Sequence, residues 1–514
     1  MKNNLRTLLL AIPLAVLSMA SAAFADTNGG KDSWANREPY PYISPTPGEF
    51  PIMSWGMQTE TSAQVYRDFV DCGFNAALVF NSHFPLLIPA LNPVAGQDTI
   101  KVNLIPRFEW HADTVNHIDP KSMPYHMDRT YNNYLRYAIS GNRTPITGWM
   151  LTDEPAYYEF DYQVPFFRTM AQYDTTRMTW TNLYGDPQVK DKLSPDSAKS
   201  AKEALRYYIE TFCEKFKPGV LTYDYYPFVL DYPQEEDPDY RENSQKLVDV
   251  TIRRKRLRDF YTALQLYSEI SKKRNRPFWA FCQSRATCVN EDFDSVPGHP
   301  TPTEAYLRYE AFNALAFGAQ GIQHFSYKEE FVRPENLGSP YYAPVTADGR
   351  KTPVWDIVRK VNKEIKDHTH VFLGARLESY YFVGDPQDTD YIDYRRGASE
   401  DAISVRDLNA GDTAGSNRGA LVSTLVNDGR RYVVIVNQSP YEPARLELAI
   451  NDRDYEVSRL QSLEPATLGS EPADITDAAD LNGIDLDVRR FVRITLAPAQ
   501  YAIYQYSPKS SSKM

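Results

Sequence analysis

Ile146-Thr147-Gly148-Trp149-Met150-Leu151-Thr152-Asp153, followed at once by Glu154 and Pro155, is a short apolar run ending in two adjacent carboxylates and a proline. Proline stops a strand because it brings no N–H to the ladder. The run is apolar throughout rather than alternating, which is the texture of a parallel strand buried on both faces. Seven more runs of this kind flank it: Pro51–Met57, Phe74–Asn81, Val102–Trp110, Thr179–Tyr184, Val220–Tyr226, Pro277–Gln283 and Gly321–Tyr327.

Most of the intervening segments have helical periodicity. They include Ser62–Cys72, Met127–Ser140, Asp196–Phe216 with Asp196 or Ser197 as its cap, Val248–Lys273, Thr303–Gln320 and Trp355–Lys366. Thr303–Gln320 opens after Pro302 and closes before Gly321, as start and stop signals require. Eight such alternations over roughly 320 residues predict an α/β chain folded as a (β/α)8 barrel. A doubly wound open sheet is the rival, but it usually has fewer strands and often a glycine-rich phosphate loop, and the chain has no G-x-G-x-x-G or P-loop.

After about His370 the pattern changes to period two. Leu421–Val426, Arg431–Asn437, Arg445–Ala449, Arg490–Leu496 and Tyr501–Tyr506 alternate, with turn signals such as Asn427-Asp428-Gly429 between them. They predict a C-terminal antiparallel β-sandwich. The expected organisation is a signal peptide over residues 1–25, the barrel over 26–375, the sandwich over 376–508 and a polar tail over 509–514.

The signal peptide is read from Lys2 and Arg6, the apolar core Leu8–Leu17, and Ala23-Phe24-Ala25 as a cleavage site. The core is too short to span a bilayer. A secreted or periplasmic chain, cleaved before Asp26, is therefore expected. Its mature form would carry 54 basic and 67 acidic residues, a net charge of −13. That balance disfavours nucleic acid and anionic membranes as partners, and the sequence sets no oligomeric state. Four cysteines are too few for a disulfide framework; Cys282 and Cys288 are close enough to pair, or are buried thiols. No Cys/His spacing suits zinc, and no cofactor is expected. The 36 Tyr, 24 Phe and 7 Trp are the compositional excess, and their rings suit the apolar faces of sugars.

In a (β/α)8 barrel the reactive residues lie at the C-terminal ends of the strands. Those ends here offer Trp55, Asn81, Arg107, Trp110, Asp153, Glu154, Asn182, Tyr184, Asp224, Tyr225, Gln283, His324 and Tyr327, with Glu109, Glu329 and Glu330 close by. So many acids, amides and aromatics at one rim predict a site that binds and cleaves carbohydrate. Asp153 and Glu154 raise each other's pKa through like charge and desolvation, which suits a general acid. The plainer reading makes Asp153 a helix cap, with Glu154 and Glu159 favoured by the helix dipole. Trp110 and Trp279 are the expected stacking platforms among the strand tryptophans Trp55, Trp110, Trp149, Trp180 and Trp279.

The runs GWMLTDEPA (148–156), YDYYPF (223–228), RPFWAFCQS (276–284) and EAFNALAFGAQGIQHFSYK (310–328) resemble the barrels of clan A glycoside hydrolases, nearest in style to family 42 β-galactosidase-like bacterial proteins. The resemblance covers about residues 50–370. It implies that Glu154 is the acid/base residue of a glycosidase. The chain departs from the clan at two points. The residue before Glu154 is Asp153 rather than Asn, and the seventh strand ends in Cys282 and Gln283 where the clan has a nucleophilic Glu. The second carboxylate is therefore sought elsewhere: Asp224 first, then Glu329 or Glu330, then Glu109. Alternatively, Asp153-Glu154 is a substrate-assisted, hexosaminidase-like pair, or the barrel binds glycans without cleaving them.

Overall fold

The computed structural model describes residues 48–56, 63–80, 103–108, 119–138, 146–175, 177–228, 254–288, 297–329, 343–384, 402–408, 419–460 and 489–509. Asn81, Glu109, Trp110, Glu330, the expected signal peptide and residues 510–514 of the expected polar tail lie outside the described residues.

The parallel strands are β1 (Ile52–Ser54), β2 (Ala76–Phe80), β3 (Asn103–Arg107), β4 (Gly148–Asp153), β5 (Met178–Tyr184), β6 (Leu221–Asp224) and β7 (Phe278–Gln283). A small hairpin, β8 (Thr287–Cys288) and β9 (Pro297–His299), precedes the last of them, β10 (Gly321–Phe325). They close in the order β1-β10-β7-β6-β5-β4-β3-β2, an eight-stranded barrel. Side chains alternate in and out. Met53, Ala76, Leu78, Ile105, Met150, Met178, Trp180, Val220, Trp279 and Phe281 fill the interior, while their neighbours join the core under the helices. Gly321 is needed here, because a Cβ on it would lie 2.6 Å from the Trp279 indole.

The helix expected from Asp196 begins at Ala201 instead. Ser200 caps it in a reciprocal box, accepting from the Glu203 N–H at 3.3 Å while Glu203 Oε2 accepts from the Ser200 N–H at 2.9 Å. The helix Phe160–Tyr173 after β4 was not anticipated; Pro165 interrupts its pattern, yet Phe160, Phe166, Phe167 and Met170 are buried. Cys282 is a buried free thiol, so the expected alternative of a bridge to Cys288 is not formed.

The second domain has β11 (Arg376–Val383), β12 (Ile403–Asp407), β13 (Ala420–Asn427), β14 (Arg430–Asn437), β15 (Ala444–Ile450), β16 (Tyr455–Leu460), β17 (Arg490–Leu496) and β18 (Tyr501–Pro508). Two antiparallel sheets, β11-β13-β14-β18-β16 and β12-β15-β17, face each other across a core of Val422, Ile435, Leu446 and Ile494. The helix Glu304–Ala316 is buried from Leu307 to Ala316 because it lies between barrel and sandwich; its Phe312 stacks on Tyr501 at 3.6 Å. No helix among the described residues is long and apolar enough to cross a membrane.

Candidate active site

The pairing of β4 with β5 slips by one residue. Met150 lies opposite Trp180, but Asp153 lies opposite Asn182, so β4 holds one extra residue. This bulge turns Asp153, which strict alternation would send outward, toward the barrel mouth. Glu154 then adopts a left-handed backbone, φ +44°, while its N–H still donates to the Asn182 carbonyl at 3.0 Å. A side chain with a Cβ occupies that region at a cost of about 1–2 kcal/mol. Together the bulge and the left-handed residue bring two consecutive carboxylates to one rim.

The capping alternative for Asp153 is not what the chain does. Glu159 Oε2 accepts from the Ala156 N–H at 2.7 Å, and so serves the turn that follows. Asp153 Oδ2 pairs instead with Arg107 at 3.4 Å, and its Oδ1 accepts from Asn182 Nδ2 at 3.0 Å.

On β6, Tyr223 and Tyr225 point outward; Tyr223 stacks on Tyr267 at 3.9 Å. Thr222 and Asp224 point inward. Asp224 Oδ1 accepts from Asn182 Nδ2 at 3.0 Å, and its carboxyl lies close enough to that of Glu154 for each to shift the other's ionisation. Burial, then the charges of Asp224 and Asp153, hold the Glu154 carboxyl far above the usual carboxylate range. Asp224 is also raised, by burial and then by Asp153, but less, because Glu154 and the hydrogen bond from Asn182 favour its anion. Tyrosines complete this wall, Tyr208 buried and Tyr184 and Tyr226 partly so. Tyr208 donates its hydroxyl to the Pro155 carbonyl at 2.6 Å. The Tyr184 and Tyr226 hydroxyls are both raised by burial and by the nearby carboxylates.

The opposite wall is aromatic. Phe325 ends β10, with Tyr226 at 6.2 Å and the Arg285 guanidinium over its ring at 4.6 Å. Trp55 sits against Phe281 at 5.0 Å, donates to Gln323 Oε1 at 3.2 Å, and is covered by Arg107, whose guanidinium lies 5.0 Å from its ring. Tyr226 was expected at this rim beside Asp224 and Tyr225, whereas Phe325 was not among the expected site residues. Alternation signals Phe325, since it shares its direction with Gly321 and Gln323 on β10.

Several expected site residues face elsewhere. Trp279 is 1% exposed and fills the barrel beside Trp180 at 6.4 Å, so it is no platform. Tyr225 points into the helical layer, where its ring lies 6.4 Å from Phe260. His324 and Tyr327 do the same, packing edge-on to Phe74 at 5.1 and 5.6 Å. Gln283 reaches the rim, but its amide holds the loop beyond β7, donating to the Arg285 and Pro300 carbonyls at 3.0 and 3.1 Å. Glu329 is buried beyond β10 and its N–H donates to the Val345 carbonyl at 2.9 Å. No group of three or more His, Cys, Asp and Glu that could hold a metal ion occurs among the described residues.

The chain matches no family model and no curated protein sequence. Its backbone is similar to that of a family 39 glycoside hydrolase from Bacteroides cellulosilyticus WH2, with 12% identity over 91% of this chain and 82% of that one and a TM-score of 0.40. It is similar also to a β-galactosidase from Rahnella sp. R3 (10% identity, 91% and 100% covered, TM-score 0.41). A third is a family 27 β-L-arabinopyranosidase from Geobacillus stearothermophilus (9% identity, 91% and 98% covered, TM-score 0.42). At those scores the likenesses carry no argument of their own, and the barrel stands on its strand order.

Proposed function

We propose that this chain is a glycoside hydrolase with Glu154 as proton donor and Asp224 as the second carboxylate, acting on glycans outside the cytoplasm. The observation that carries the reading is the cluster of Glu154, Asp153 and Asp224 gathered around Asn182 at the barrel mouth opposite an aromatic wall. The clan A resemblance places its acid at the same residue, Glu154; the narrower likeness to family 42 adds nothing that the site requires. Asp153, held by Arg107 and Asn182, favours the protonated form of Glu154 through its charge and keeps Arg107 in place.

The chemistry runs in two displacements. Asp224 attacks the anomeric carbon as the bond to the leaving oxygen breaks, and that oxygen takes the Glu154 proton. Water then attacks the same carbon, giving its proton to the Glu154 carboxylate and releasing Asp224. The sugar leaves with its anomeric configuration retained. Retaining enzymes hold their carboxyl groups about 5–5.5 Å apart, whereas inverting ones leave about 6.5–9.5 Å for a water. Glu154 and Asp224 are near enough to influence each other's ionisation, and the closer of the two spacings is the retaining one. The substrate-assisted alternative needs Asp153 to orient an N-acetyl group, whereas its carboxyl is turned to Arg107 and Asn182.

One observation favours a second reading, a barrel that binds glycans without cleaving them: the inward position at the end of β7 holds Gln283, tied to its own loop. Screening the wild-type protein against aryl glycosides and oligosaccharides separates the two. Turnover, with the configuration of the first-formed product read by NMR, supports the hydrolase. Glycan binding without turnover of any substrate supports the second reading.

A further inference from the structure

Asn182 is 1% exposed, and both ends of its amide are engaged. Oδ1 lies 3.1 Å from Thr222 Oγ1, a hydroxyl that can donate or accept, so the two carboxylates on the other side, which accept only, fix which way round the amide lies. Nδ2 therefore faces the carboxylates and donates to Asp153 Oδ1 and Asp224 Oδ1, at 3.0 Å each. An amide nitrogen carries two hydrogens, so both are committed. A donor aimed at a carboxyl oxygen favours its anion over its acid. Asn182 thus acts on two of the three carboxyls at the mouth and leaves out the one between them in sequence, Glu154.

We infer that Asn182 is a positioning residue that keeps Asp153 and Asp224 as anions and so places the proton shared by the cluster on Glu154. This rests on the hydrolase reading for its purpose, but not for its test. Other groups face the cluster as well. Arg107 pairs with Asp153, Asp186 adds negative charge near Glu154, and the hydroxyls of Tyr184, Tyr208 and Tyr226 stay protonated through burial. Arg107 and Asp186 each bias a single member, whereas Asn182 donates to both Asp153 and Asp224 at once.

The location of the proton can be read without turnover, from the carbonyl stretch of protonated carboxyls in infrared difference spectra of the full-length protein. Buried Glu310, also raised by burial, contributes equally to all variants and cancels. With Asn182 present, Glu154→Gln should abolish the protonated-carboxyl band at neutral pH. In an Asn182→Leu background, Glu154→Gln should leave a band that Asp224→Asn then removes, because Asp224 now takes the proton. Asn182→Ala, which lacks the donors without the bulk, gives the same test if the leucine variant does not fold. A band removed by Glu154→Gln alike in both backgrounds would overturn the inference. Where turnover is measurable, the acidic limb of kcat/KM should move up by about one pH unit in the Asn182 variant. A purely structural role would lower rates equally at every pH. Loss of the hydrolase reading would leave the infrared result standing.

Discussion

The carboxyl of Glu154, just beyond β4, lies close enough to that of Asp224, at the end of β6, to be raised by its charge, and Asn182 of the intervening β5 donates to Asp224 at 3.0 Å. The two acids are neighbours only because a bulge and a left-handed residue turn the end of β4 inward. A proton kept in such a pair carries a cost in stability that depends on pH.

That cost can be measured. The unfolded chain ionises Glu154 in the ordinary carboxylate range, whereas burial and two negative neighbours hold it protonated well above that range in the fold. Between those limits the unfolded state binds fewer protons than the native one. Stability from this group is therefore complete below the ordinary range and is lost as pH rises through the folded value, at up to about 1.4 kcal/mol per pH unit. Glu154→Gln cannot ionise and removes the slope. The variant should melt a few degrees above the wild type at about pH 8 and close to it at about pH 5. An offset in Tm that is the same at both pH values contradicts this.

The aromatic residues divide into floor and wall. Trp279→Phe should lower Tm, by a fraction of the roughly 3–5 kcal/mol that a Trp→Ala change costs in a core, and leave KM unchanged. Phe325→Ala should do the reverse, raising KM for glycans about tenfold, equivalent to about 1.4 kcal/mol, with a small change in Tm. Equal KM effects in the two variants would mean that the assignment of inward and mouth-facing rings is wrong.

Gly185 backs the second carboxylate. A Cβ there would lie 2.3 Å from the Asp224 carbonyl oxygen and 2.6 Å from the Tyr223 ring, with backbone on one side and a stacked ring on the other. Gly185→Ala should therefore cost about 1–3 kcal/mol of stability and displace Asp224. Activity should fall by more than the loss of folded protein accounts for, measured by kcat per mole of protein folded by circular dichroism. Wild-type kcat and Tm would contradict the close approach.

Much of the architecture was legible because buried parallel strands and period-two strands leave different apolar patterns. All eight barrel strands lie where those patterns put them. Five of the sandwich strands do too, whereas β11, β12 and β16, half-exposed or short, were not marked. The site was legible in part. Glu154, Asp153, Asn182, Asp224 and Arg107 converge as strand ends should, but direction was misjudged at Tyr225, His324 and Tyr327, and depth at Trp279. Alternation decides direction only while a strand is regular. On β4 the bulge breaks it, and a bulge is a matter of pairing with the neighbouring strand, which composition does not show.

The central claim is that Glu154 gives its proton to the leaving group, and the dependence of kcat/KM on leaving-group acidity tests it most directly. Across a series of aryl glycosides, Glu154→Gln should lose orders of magnitude on poor leaving groups, which need protonation, and much less on good ones, steepening the slope relative to wild type. A uniform loss across the series, with the wild-type slope preserved, would show that Glu154 is not the acid.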